Sequence, residues 1–193
     1  MKRKKRHALI QYNAPTTLNF ALISFLVLIL HYATRGDSTT KLFCVYRSSL
    51  LDLLTYPRFI THVLGHSGFA HYSGNITLML VLGPTLEERY GSRTILLSIL
   101  VTAFISGLLQ WILFPGTALL GASGIVFMMI LMASMGGMKD GYIPLTLILV
   151  AVFYVGSELS TALTTSDNIS QLSHIIGGIC GAVFGFILCR DQR

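Results

Sequence analysis

Charge is scarce in this chain. Of its 193 residues only 11% are Asp, Glu, Lys or Arg, and 53% are hydrophobic. Soluble domains carry about 25% charged residues, so the composition excludes an ordinary soluble protein and points to a membrane protein. Cysteine is nearly as sparse. Cys44, Cys180 and Cys189 form no even set, and two of them lie nine residues apart in one apolar run, so a disulfide scaffold is excluded. They read as apolar packing residues. Acidic residues are fewest among the charges, eight against fourteen Lys and Arg, for a net charge of +6. That excess does not point to nucleic acid. Five of the cations form Lys2-Arg3-Lys4-Lys5-Arg6, just before the first apolar run, where they read as a topology signal and a contact with anionic lipid headgroups.

What the chain has instead is apolar runs. Six are expected as spans of about 20 residues, at about Leu18–Ala33, His71–Tyr90, Thr94–Phe114, Ala118–Met135, Tyr142–Leu163 and Ile169–Cys189. They leave no room for a second, soluble domain: residues 1–16 read as a basic cytosolic tail and 17–193 as one six-span domain. The first run reads as an uncleaved anchor rather than a signal peptide, because no small-residue cleavage site follows it. Residues 34–70 form the longest connection, in which Leu and aromatic residues alternate with Arg47, Ser48, Ser49 and Asp52. This predicts short amphipathic helices lying in the interface, interrupted at Pro57. A connection of that length in so small a protein is often functional.

Basic residues fix the orientation. With the amino terminus inside, ten Lys and Arg fall in inner segments and four (Arg35, Lys41, Arg47, Arg58) in the one long outer loop. Both termini are then cytoplasmic, and spans two, four and six all run inward. His71 and Asn75 lie in the first turns of span two, Ser123 early in span four and His174 early in span six. At 1.5 Å per residue all four sit less than about 10 Å below the outer surface. Polar residues scattered at random need not agree in depth.

Spacing adds detail. His71 and Asn75 are i and i+4, on one helical face. Gly177 and Gly181 form a GxxxG pair on the face of His174, and Gly121 and Gly124 flank Ser123, so spans four and six are expected to pack closely and bring Ser123 to His174. Such a set suits nucleophilic acyl transfer. Histidine can take the proton of an otherwise poor serine nucleophile, and an oxyanion needs fixed donors, which the His71 ring, the Asn75 amide and the Ser123 N–H can supply. No acidic residue accompanies His174 within its run, Asp167 being seven residues earlier. The reading is a dyad, not a triad, in a cavity that water reaches.

From span one to the carboxyl terminus the chain resembles the rhomboid intramembrane serine proteases in their basic six-span form. The GxSG motif is Gly121-Ala122-Ser123-Gly124, the histidine with following glycines is His174, Gly177 and Gly181, and the HxxxN element is His71 to Asn75, preceded by His66. Glu87-Glu88-Arg89-Tyr90-Gly91 resembles the family's inner end of span two. The resemblance implies an all-helical bundle with a membrane-embedded loop between its first two helices. It also implies cleavage of membrane proteins in or near their transmembrane helices, without metal or other cofactor. Ser123 is then the nucleophile, His174 the base, and His71, Asn75 and the Ser123 N–H the oxyanion donors. Span five is the implied lateral gate for substrate. The family commonly has tyrosine four residues after the serine; here it is Phe127, which keeps a ring to stack on the histidine and loses the hydroxyl.

Three rival readings compete with this one. His62, His66 and His71 are close in sequence, but no Glu stands between them as in HExxH and no other ligand joins them, so a metal site is not expected. His66 is expected to hydrogen-bond within the loop and His62 to sit at the interface. Glu87-Glu88-Arg89 as an ion relay would make the chain a transporter, yet it lies at the inner end and no inverted repeat is evident; an ion pair or helix-end anchor is the expectation. A catalytically silent rhomboid-fold module that binds or escorts membrane helices would lack the serine or the histidine, and both are present. The absence of an organelle presequence favours a prokaryotic plasma membrane.

Overall fold

Among the described residues the apolar runs fold as helices. The computed structural model describes residues 11–136 and 168–190, with four isolated positions between them. In chain order the elements are α1 (Pro15–Ala33), α2 (Asp37–Leu42), β1 (Val45–Tyr46), α3 (Thr55–Thr61) running into a 3-10 turn (His62–Leu64), α4 (Phe69–Tyr90), α5 (Ser92–Leu113), β2 (Ala118–Leu119), α6 (Ser123–Gly136) and α7 (Asn168–Arg190). Among the described residues, α1 and α5 are long and apolar enough to cross a bilayer, and Ser123–Met135 and Ser173–Leu188 are shorter apolar helices. The fifth expected run, Tyr142–Leu163, and Asp167 lie outside the described residues.

α6 is the centre of the bundle. Ile125, Met128, Met129 and Met132 are fully enclosed, packed with Ile76, Met79 and Leu86 of α4, Ile95, Ile99 and Ala103 of α5, and Ile176 and Cys180 of α7. Its most extensive partner is α7. A helix apolar on every side must be buried on every side or face lipid, and every described residue of α6 is buried or half-buried.

Sequence boundaries shift where hydrogen bonding decides them. The basic tail was expected to reach residue 16, but α1 begins at Pro15. Proline suits the first helical position because its missing N–H is one the helix leaves unbonded anyway. The next two N–H groups find a partner in another helix: Glu87 of α4 accepts from Thr16 N at 3.0 Å, Thr17 N at 2.7 Å and Thr17 Oγ1 at 2.6 Å. Glu87 is therefore a helix-end anchor reached across some 70 residues of sequence. The α1–α4 approach is close, since a methyl on Gly83 would lie 2.6 Å from Thr17 Cγ2.

The long connection holds short helices, α2 and α3, as its pattern predicted. Two features differ from expectation. Pro57 does not interrupt a helix but lies in the first turn of α3, where no backbone N–H is required. In addition, β1 pairs antiparallel with β2, Val45 opposite Leu119 and Tyr46 opposite Ala118, tying this connection to the segment just before Ser123. Arg58 clamps the loop from within. Almost fully buried, it donates to the Lys41 carbonyl (2.7 Å) and to Asp52 (3.0 Å) and lies over the Tyr46 ring. The Leu54 N–H, and then Arg58, hold the Asp52 carboxyl below its usual range. Trp111 of α5 donates to the Ser48 carbonyl at 3.2 Å and lies under Arg47, which bolts the connection to the bundle.

Glu87→Gln keeps the shape and removes the charge and one acceptor oxygen from these three donors. Charge-assisted bonds of this kind contribute about 1.5–3 kcal/mol. A drop in stability of about that size, read as a lower thermal midpoint, is expected; an unchanged midpoint would mean the α1 cap is not stabilising.

Candidate active site

Ser123, expected early in a span that starts near Ala118, is the first residue of α6. The expected helix from Ala118 is replaced by β2 and a turn in which Gly121 adopts φ +114°, a conformation natural to glycine and strained for other residues. The first intrahelical bond runs from Val126 N to the Ala122 carbonyl at 2.9 Å. The Ser123 N–H is thus one of the helix-start donors without an intrahelical acceptor.

The turn is fixed from outside. Gly121 N donates to the His62 carbonyl at 2.9 Å. His62 was expected at the interface; it is fully buried instead. Its Nδ1–H donates to the Arg58 carbonyl at 3.1 Å, and its Nε2 faces Ser106 Oγ of α5 at 3.4 Å. One histidine therefore joins α3, α5 and the Ser123 turn. The sequence hides this, because these three contacts are to groups far along the chain or on the backbone.

His71 and Asn75 of α4 face the same turn. A methyl placed on Gly121 would lie 2.7 Å from His71 Nε2 and 3.9 Å from Asn75 Nδ2. Gly121 was expected to offer α7 a smooth surface; the His71 ring fills that space. Asn75 Nδ2 is buried and has no acceptor among the described residues. On its far side His71 Nδ1 meets Ser67 Oγ at 3.2 Å. His66 stands edge-on to the His71 ring, centroids 5.0 Å apart. As expected, it bonds within the loop, with Nδ1 donating to the Leu64 carbonyl at 3.1 Å.

Gly124 is the residue that meets α7. A methyl on Gly177 would overlap the Gly124 carbonyl oxygen and lie 3.0 Å from Gly124 Cα, and one on Gly124 would lie 2.6 Å from Ser173 Oγ. One turn on, Gly181 sits against the Met128 backbone, and Gly185 continues the series against Met135. Gly185 extends the four-residue spacing and was there to be read in the sequence. Ser123 and His174 each neighbour a residue of this contact in the chain. One turn beyond Ser123, Phe127 packs on the His174 ring, with centroids 4.7 Å and planes 41° apart. Ser123, His71 and His174 are all half-buried. Among the described residues no cluster of three or more His, Cys, Asp or Glu could hold a metal ion.

A bundle of apolar helices with a serine opening its central helix, His71 and Asn75 facing the turn before it and His174 packed on Phe127 one turn along, defines a class of helical protein with a polar site in an apolar bundle. Comparison specifies the class further. The Rhomboid domain model matches residues 54–191, and the chain belongs to the rhomboid family, whose members are integral membrane proteins. It is 29% identical over 140 residues to rhomboid-related protein 1 of Caenorhabditis elegans, covering 68% of this chain and 39% of that protein. It is 25% identical over 188 residues to the rhomboid protease GluP of Bacillus subtilis (94% and 37%). Against the rhomboid protease GlpG of Serratia proteamaculans the identity is 26% over 176 residues (89% and 62%). The chain thus spans less than two thirds of each of these relatives.

Burial pushes the His62 and His66 rings down to about 4, with the charge of His71 adding to the effect on His66. An unfolded histidine titrates near 6.5. Between those values the unfolded chain binds more protons, so the stability these rings contribute is complete above about pH 6.5 and is lost as pH falls toward 4. The thermal midpoint is expected to fall from pH 6.5 to 5, above the range of ordinary carboxylates, and to fall less in His62→Gln. A midpoint flat over that interval would contradict the assignment of both rings as neutral.

Proposed function

We propose that the chain is an intramembrane serine endopeptidase that cleaves transmembrane or juxtamembrane segments of other membrane proteins with a Ser123–His174 dyad. In this reading it is a single six-span domain in a prokaryotic plasma membrane, with both termini cytoplasmic and the fifth run as the gate by which substrate enters. The observation that carries the proposal is the convergence on one turn. The N–H of Ser123, the amide of Asn75 and the Nε2 edge of His71 adjoin Gly121, while Phe127 holds the His174 ring one turn along from Ser123. The family membership and the names of two relatives as rhomboid proteases point the same way.

In the proposed reaction Ser123 Oγ attacks the scissile carbonyl and His174 takes its proton. The oxyanion accepts from the Ser123 N–H, Asn75 Nδ2 and His71 Nε2–H, of which the Asn75 amide is buried and unsatisfied beforehand. Collapse breaks the C–N bond, and the leaving amine takes the proton from His174. Water then attacks the acyl-serine through the same base. Ser67 enters here as a positioning residue. For His71 to donate from Nε2 in its neutral form, Nδ1 must accept, and the Ser67 hydroxyl is the donor at that atom.

Labelling by a fluorophosphonate probe tests the reading directly. Ser123→Ala and His174→Ala are each expected to lose labelling by at least about a hundredfold, and Asn75→Ala to lower peptide cleavage about 10²–10³-fold. A folded wild-type protein that stays unlabelled, while a rhomboid protease labels beside it, would overturn the proposal in favour of a helix-binding module. Ser67→Ala is expected to lower kcat several-fold with little change in KM, and to shift the His71 nitrogen resonances toward the Nδ1–H tautomer. An unchanged tautomer would remove Ser67 from the mechanism.

A further inference from the structure

A cavity of about 270 Å³ lies away from the site, between α1, α5 and the turn that ends α3. Its walls are Ile23 of α1 with Leu96, Leu100 and Ala103 of α5, and Ile60 and Leu64 close its outer end. Ile23, Leu96 and Leu100 are also among the exposed large hydrophobic residues, so the cavity is open along one side. It follows α1 from Pro15 to Ile23, about 12 Å at 1.5 Å per residue. The hydrocarbon core of a bilayer is about 30 Å thick, so this groove covers most of one leaflet and stops near the middle.

We infer that this groove binds one acyl chain of an anionic phospholipid from the leaflet at the amino-terminal ends of α1 and α5. The lining suits a hydrocarbon chain and nothing polar: only Thr16 and Asn19, at the mouth, carry polar side chains. Charge selects the headgroup. Arg93 stands exposed one turn before Leu96, and Lys2-Arg3-Lys4-Lys5-Arg6 precedes α1 in the sequence. The nearby Glu87 and Glu88 carboxylates offset Arg89 and Arg93, so the excess of cations here is that of residues 2–6 in the sequence. Each cation near an anionic surface contributes about 1 kcal/mol of attraction. The closed end of the groove also matters. Val63 and Leu64 line it and follow His62 directly, and His62 holds the Gly121 turn. A chain seated in the groove props the segment that positions Ser123.

The inference rests on the helices crossing a bilayer as proposed above, and not on catalysis. The test uses phosphatidylglycerol carrying a diazirine at the end of one acyl chain, with the full chain in nanodiscs, crosslinked peptides being read by mass spectrometry. Crosslinks are expected to concentrate on residues 60–64 and on Ile99, Leu100 and Ala103, at least fivefold above those at Leu97 and Val101 on the exposed side of α5. Ala103→Phe fills the groove and Ile23→Trp covers its open side; each is expected to abolish that enrichment while the Leu97 and Val101 signal persists. The two sites differ in burial, so a folding defect at Ala103 leaves Ile23→Trp to decide. Arg93→Glu is expected to reduce, at least twofold, the ability of unlabelled phosphatidylglycerol to outcompete phosphatidylcholine. Equal crosslinking on both sides of α5, or enrichment that survives both groove variants, would overturn the site. Probe labelling of Ser123 in the same nanodiscs reads the proposed reaction separately, so either idea can fail alone.

Discussion

The backbone contact between Gly124 and Gly177 is the constraint on which the rest of the site depends. A single methyl at either position would strike the other helix, so α6 and α7 can approach this closely only where both lack side chains. Ser123 is the chain neighbour of Gly124, His174 lies one turn before Gly177, and Phe127 stacks on His174. A separation of an ångström or two would part the proposed nucleophile from its proposed base. Bundles in lipid gain little from apolar burial between helices, so close packing and hydrogen bonds carry the specificity.

The second constraint is the turn before Ser123. Gly121 is held by the His62 carbonyl below and faced by the His71 ring above, and β2 pairs with β1 in the long connection. The connection between α1 and α4 is therefore not a cover over the bundle but part of the frame of the site. Its own rigidity comes from Arg58, a buried cation satisfied by a carbonyl, a carboxylate and an aromatic face. Buried charge is costly unless paired in this way, and removing either partner would release the loop that steadies Gly121.

Much of this was legible in the sequence, and the reasons are physical. Polar residues in apolar runs stand out, and helical periodicity put His71 with Asn75 and His174 with Gly177 and Gly181. Local patterns could not reveal contacts made between distant segments. A two-residue ladder such as β1–β2 has no periodicity to detect. The burial of His62 depends on Ser106 and on the Gly121 turn, and the capping of α1 by Glu87 links residues some 70 apart. Gly121 was assigned to the wrong neighbour because a glycine announces close approach without naming what approaches. The positive φ that ends β2 and delays α6 to Ser123 was equally invisible beside so apolar a run.

The central claim is that the Gly124–Gly177 contact sets the proposed reactivity of Ser123, and neighbouring glycines allow it to be tested without touching the proposed dyad. A methyl on Gly177 collides with the Gly124 backbone, whereas one on Gly178 meets nothing within 4 Å. The decisive measurement is the second-order rate of fluorophosphonate labelling in Gly177→Ala beside Gly178→Ala, both checked for an intact helical spectrum. The account predicts a fall of at least tenfold for Gly177→Ala, about 1.4 kcal/mol or more in the barrier, and a wild-type rate for Gly178→Ala. Equal rates in the two variants would contradict it.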